Sequence, residues 1–198
     1  LSGSAMQTWE GCLAISDKNT GQLLFYSSGR RIYNRNHVIM QNGDSLWGYF
    51  SSTQSGVVVP MPGSSNLYYV FTAAAQVGIP FATGLEPGPQ PYTGIAYSVV
   101  DMTLDGGLGA VVPGQKNIAL LSNATEKITA VRHCNGRDVW VIAHRWNSNA
   151  FYAYLVSSSG VAAPVISNVG SVHFSAASPS HSETIGYMKA APDQEHLA

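Results

Sequence analysis

Apolar and polar positions alternate with a period of two through nearly every candidate element of this chain, and no stretch sustains a helical period. That pattern predicts strands joined by short turns. One strand-turn-strand unit recurs. It runs from Leu13-Ala14-Ile15-Ser16 through the polar turn Asp17-Lys18-Asn19-Thr20-Gly21 into Leu23-Leu24-Phe25-Tyr26. Val58-Val59 lead in the same way through Pro62-Gly63-Ser64-Ser65-Asn66 into Leu67-Tyr68-Tyr69-Val70-Phe71. Ala130-Val131 lead through Cys134-Asn135-Gly136-Arg137 into Val139-Trp140-Val141-Ile142. A fourth copy opens at Tyr187-Met188-Lys189 and turns at Ala191-Pro192-Asp193-Gln194. Phe25, Tyr69, Trp140 and Leu197 hold the same place in each second strand, so Trp140 is expected in the core beside its equivalents. Repeats whose units are hairpins predict a radial array of small antiparallel sheets.

Each unit also carries the strands that would complete a sheet. Arg30 to Asn34 and Val38-Ile39-Met40 follow the first hairpin. Ile95 to Met102 and Ile118 to Leu121 follow the second, and Phe151 to Val156 and Pro164-Val165-Ile166 follow the third. Four strands per unit is the blade of a β-propeller. The expectation is an all-β partial β-propeller: about three complete four-stranded blades and the start of a fourth, in one segment spanning residues 1–198. Residues 73–94 interrupt the second unit with Pro80, Pro87, Pro89 and Pro91 among Gly78, Gly84 and Gly88. Proline removes ladder donors, so this is expected to be a long inserted surface loop, of a length usually functional or disordered.

Composition narrows the function. Only 11% of residues are charged, well under the usual quarter, so the surface must be built from uncharged polar residues of the kind that suits an extracellular β protein. A net charge of −1 without a basic cluster sets nucleic-acid binding aside. No run reaches the length of a membrane span, and the first residues have neither the basic start nor the apolar centre of a signal peptide. Cys12 and Cys134 lack CxxC spacing, which argues against a zinc knuckle or a thioredoxin-type site. They read as two independent thiols, with a bridge as the alternative.

Chemical motifs are sparse. Asp17-Lys18-Asn19-Thr20-Gly21 resembles a calcium loop only in outline, lacking further carboxylates, and reads as an Asx-type turn. His37, His133, His144, His173, His181 and His196 show neither HxH nor HExxH spacing, so no metal site and no cofactor are expected. There is no nucleophile elbow and no P-loop. Asp101 and Glu126 are the one carboxylate pair considered for glycoside hydrolysis. No residue is assigned a catalytic role. Among the aromatic residues, Trp47 between units and Trp146 in a turn are the candidate ligand contacts, because rings on turns tend to be exposed.

Several texts carry a family resemblance: Glu10-Gly11-Cys12-Leu13-Ala14-Ile15-Ser16-Asp17, Gly21 to Gly29, Tyr33-Asn34-Arg35-Asn36-His37, Ser52-Thr53-Gln54-Ser55, Tyr97 to Met102, and Glu126 to Gly136. In this order they resemble the β-propeller regions of secreted Bacteroidota proteins of the PKD-domain, gliding-motility-associated C-terminal domain type. The resemblance runs from about Glu10 to the end of the chain and implies export to the Gram-negative cell surface. It transfers no catalytic residue. Such members carry further blades, PKD domains and a sorting domain, so the chain reads as an internal part of a longer polypeptide. The functional expectation is non-catalytic adhesion or glycan and protein binding, with self-association through open propeller edges. The alternative is a glycoside hydrolase or lyase on the same scaffold.

Overall fold

The computed structural model describes residues 3–75, 93–173, 182–193 and 196–198, and these contain three antiparallel sheets and no α-helix. Most of the loop expected over 73–94, residues 76–92, lies outside the described residues, as does His181. Within the described residues no helix is long and apolar enough to cross a membrane.

The first sheet pairs β1 (Leu13–Ser16), β2 (Leu23–Ser27) and β3 (Ile32–Asn34) in sequence order. The second is built on β4 (Gly56–Pro60), β5 (Leu67–Ala73) and β6 (Gly94–Asp101). Both β7 (Ala110–Val111) and β8 (Ile118–Ser122) pair with β6 on its far side. The third repeats that plan. In it β9 (Ala124–Arg132), β10 (Val139–Arg145) and β11 (Ser148–Ser157) lie in order, and β12 (Gly160–Val161) and β13 (Val165–His173) share the far edge of β11. The fourth strand position of these two repeats is thus split between two strands, separated by residues 112–117 in the second sheet and 162–164 in the third.

The first sheet has three strands where four were expected. Asn34 Oδ1 accepts hydrogen bonds from the backbone of Asn36 and Val38, and His37 adopts φ +61°, so the chain turns before it can extend. Only an isolated Tyr33–Ile39 bridge remains of the fourth strand, and Gln41 leaves to bridge Ala110 of the second sheet. Among the described residues the fourth hairpin is present as the Ala190–Leu197 bridge, flanked by the reciprocal Lys189–Ala198 backbone hydrogen bonds and by the Ala191 N–H to the His196 carbonyl.

The sheets stack face to face in chain order, their first strands β1, β4 and β9 in mutual succession. Strand pleating gives each sheet two faces, and the second sheet buries both. Val70, Val100 and Val111 face Phe25, Leu13 and Ile32 of the first sheet, while Tyr69, Phe71, Ala73, Ile95 and Val99 face Ile128, Val141 and Ala143 of the third. Phe25 meets Tyr68 edge to face at 5.7 Å.

Trp140 corrects one expectation. Its strand neighbours Val139 and Val141 pack toward the second sheet, so Trp140 projects from the opposite face, as Phe25 and Tyr69 project toward their next sheet. It therefore holds the equivalent place, but among the described residues no further sheet covers it, Asp193 alone coming from beyond its own hairpin to line the hollow beside it, and it is half-buried where Phe25 and Tyr69 are buried. Trp140→Ala should accordingly cost about 1–2 kcal/mol, against about 3–5 kcal/mol for Phe25→Ala. Paired urea melts check this, and equal losses would show Trp140 to be fully covered in solution.

Candidate functional site

The segments that open the inner strands converge at one end of the stack. Thr53 and Gln54 precede β4, Glu126 and Lys127 open β9, and Thr184 to Met188 lead into the terminal bridge. Side chains tie these segments together over long sequence separations. Glu126 Oε2 accepts hydrogen bonds from the backbone N–H and hydroxyl of Thr53, both at 2.8 Å. Gln54 Oε1 accepts from the backbone of Ile128 at 3.0 Å and Met188 at 2.8 Å, while its Nε2 donates to the Met188 carbonyl. The Gly186 N–H reaches Thr53 Oγ1 at 3.2 Å. Lys127 Nζ donates to the carbonyls of Glu183 at 2.7 Å, Ile185 at 3.0 Å and Thr184 at 3.4 Å, which uses the three donors an ammonium has.

Beside this knot lies a groove of about 160 Å³ lined by Lys127, His144, Phe151, His173, Tyr187 and Met188 among others. His144 and Phe151 are cross-strand partners on β10 and β11, and their rings meet edge to face at 4.6 Å. His173 ends β13 and brings its ring to 4.5 Å from that of His144. His144 is buried, yet neither of its nitrogens meets hydrogen-bond geometry with a partner among the described residues, although the Arg145 backbone lies near enough to favour its charged form weakly. An imidazole left this way forfeits about 1–3 kcal/mol per unmet group, so it calls for an explanation in terms of what the groove receives.

Electrostatics set the charge of both buried groups. Burial first, then His173 and Lys127, push the His144 imidazole from 6.5 down to about 4, so it is neutral at pH 7. Burial raises the Glu126 carboxyl above its ordinary value, outweighing the two Thr53 hydrogen bonds that favour the anion. The two act in opposite directions on stability. Between about pH 4 and 6.5 the unfolded chain binds a proton at position 144 that the folded protein does not, so stability falls as pH drops through that window. At position 126 the folded protein keeps its proton above 4.5, so stability is lost as pH rises from there through the raised value. Urea midpoints from pH 4 to 7 should therefore show less acid loss in His144→Phe and less loss on the alkaline side in Glu126→Gln. Unchanged pH profiles in both variants would contradict the burial argument.

The residues expected from sequence fall elsewhere. Trp146 is buried at 5% exposure, not displayed on its turn, and its backbone N–H is held by the Asn123 carbonyl. A ring so enclosed has no stacking face to offer. Trp47 is half-buried, its backbone held by Asn117 Oδ1 at 2.9 Å, and neither tryptophan lines the groove. Asp101 lies at the far end of β6, paired with Leu67, whereas Glu126 bonds Thr53 beyond the Gly56–Thr72 pair. Five residues of β5 separate those ends, about 17 Å at strand rise, too far for the roughly 5–9.5 Å of a glycosidase pair. Asp17 Oδ1 accepts from Asn19, Thr20 and the Thr20 hydroxyl, so its loop is an Asx turn. Cys12 and Cys134 are free, exposed thiols. Among the described residues no three histidine, cysteine or acidic side chains gather as a metal site.

His144, His173, Lys127 and Tyr187 were not singled out together in the sequence. One signal was available: Trp140, Ile142 and His144 alternate on one face of β10, which places His144 on the face that looks away from the second sheet. No protein family, curated protein or solved structure matches the chain.

Proposed function

We propose that the three sheets are consecutive blades of a β-propeller and that the chain is a non-catalytic binding segment of an exported cell-surface protein, serving adhesion through glycan or protein ligands. The observation that carries this reading is the stack itself. Two sheets of identical strand order follow one another, each entered through its inner strand, with the first strands of all three in succession. Propeller blades are arranged in this way, and propellers collect ligand contacts where loops open the inner strands. The low charge and the resemblance to secreted Bacteroidota propellers support export. Asp101 and Glu126, the one carboxylate pair considered for hydrolysis, lie too far apart to act together, which supports the non-catalytic reading.

The outer face of the third sheet, with half-buried Trp140, Ile142 and Leu155 beside exposed Val165, is apolar enough to drive self-association. Incubation with a polysaccharide panel tests the functional reading. Retention without product release is the expected result, and release of oligosaccharides would replace it with an enzyme.

A further inference from the structure

The groove between β10, β13 and the 187–188 segment holds a set of polar groups whose hydrogen-bonding roles can be assigned. His173 Nδ1 lies 3.4 Å from the Glu183 carbonyl oxygen, which can only accept, so Nδ1 carries the proton and Nε2 is an acceptor. His144 is neutral, with one donor and one acceptor, both unpartnered among the described residues. The pair therefore holds one donor and two acceptors within a few ångströms; the two on His144 are closed to solvent, so a ligand reaches them with a shift of a neighbouring side chain such as the exposed Tyr187. A hydroxyl group, donor and acceptor at once, satisfies such a set, and two neighbouring hydroxyls satisfy it fully.

The surroundings exclude charged ligands. A cation would have to enter beside the Lys127 ammonium, and among the described residues no third metal-ligating side chain is gathered there. An anion finds no available ammonium, because Lys127 is turned onto three backbone carbonyls. What remains of the lining is aromatic and apolar, and Tyr187, 60% exposed, offers a ring face at the groove. We propose that this groove is a monosaccharide subsite, in which a neutral sugar residue stacks on Tyr187 and places hydroxyls on His144 and His173. The proposal rests on the glycan-binding reading above and names its site and ligand chemistry.

Saturation-transfer NMR with the intact chain and the methyl glycosides of glucose, galactose, mannose, fucose and N-acetylglucosamine provides the test. At least one glycoside should bind, and His144→Phe and Tyr187→Ala should each weaken it by about tenfold or more, the worth of one or two lost contacts. Trp9→Ala, exposed and outside the groove, should leave it unchanged. His144→Phe removes an unpartnered polar group, so its melting temperature should be equal to or above that of the wild type, separating lost binding from lost fold. Tyr187 is exposed, and its variant folds regardless. Glycoside binding that survives both groove variants overturns the subsite and leaves the glycan reading standing. Zinc binding abolished by His144→Phe, with no glycoside bound, overturns the ligand class. Retention of neither a glycoside nor any polysaccharide overturns the subsite together with the glycan-binding reading on which it rests.

Discussion

Phe71→Ala should lower the unfolding free energy by about 3–5 kcal/mol, the loss expected when a wholly buried aromatic is cut back to a methyl. Phe71 is 0% exposed and sits in the middle of β5, on the face that meets the third sheet. Its ring contacts Tyr69 at 6.1 Å and its cross-strand partner Tyr97 at 5.7 Å, and Ile128, Val141 and Ala143 lie opposite. A small side chain there leaves a cavity between two sheets whose backbones are fixed by their own ladders, so neither can close the gap alone. Equilibrium unfolding in urea should show the loss as a lower midpoint with the slope retained. A change below about 1 kcal/mol would mean that the second and third sheets are not packed through this face.

Gly11→Ala should cost about 3 kcal/mol although it adds only one carbon. A Cβ at this position would stand 2.6 Å from the Ser52 carbonyl oxygen, 2.6 Å from the Ser55 nitrogen and 2.8 Å from the Gln54 carbonyl carbon. All three are backbone atoms, so no side chain can swing aside. The crowding reflects two bonds that hold the segment ahead of β1 against the segment ahead of β4: Gly11 N–H to Ser52 O at 3.1 Å, and Ser55 Oγ–H to Gly11 O at 2.7 Å. Gly136 supplies the control. Its φ is +72° but nothing lies within 4 Å, so Gly136→Ala should show only the strain of the left-handed region, about 1–2 kcal/mol. Thermal melts of both variants decide the point. Equal losses would place Gly11 away from the 52–55 backbone and dissolve the junction between the first two sheets.

The hairpins were legible in the sequence because their signals are local. Leu13 to Ser16 against Leu23 to Tyr26, and Val139 to Ile142 following Ala130-Val131, pair with nearly the bounds the alternation gives. The equivalence of Phe25, Tyr69 and Trp140 as residues projecting toward the next sheet was legible for the same reason, since a pleated strand sends alternate side chains to fixed faces. The shortened first sheet was harder to read. Val38-Ile39-Met40 is a sound strand by composition, but the Asn34 side chain captures two backbone donors and the chain turns. The site was least legible: Trp146 is polar-flanked on a turn and yet buried, while His144 resembled any scattered histidine.

The sequence by itself determined an all-β chain, the hairpin repeat, the face each strand residue takes and the scarcity of charge. All of these follow from side-chain period and turn chemistry over fewer than ten residues. Only the tertiary structure decided which faces are covered and which polar groups meet. Trp140 and Tyr69 obey one pattern, but burial depends on what lies across the gap, and that is supplied by another sheet. Glu126 reaches Thr53 across 73 residues, and Gln54 reaches Met188 across 134. His144 and His173 come together only because β13 folds back on β11 beside β10. Contacts of that separation leave no period in the chain, since they are fixed by how whole sheets stack and not by the residues on either side.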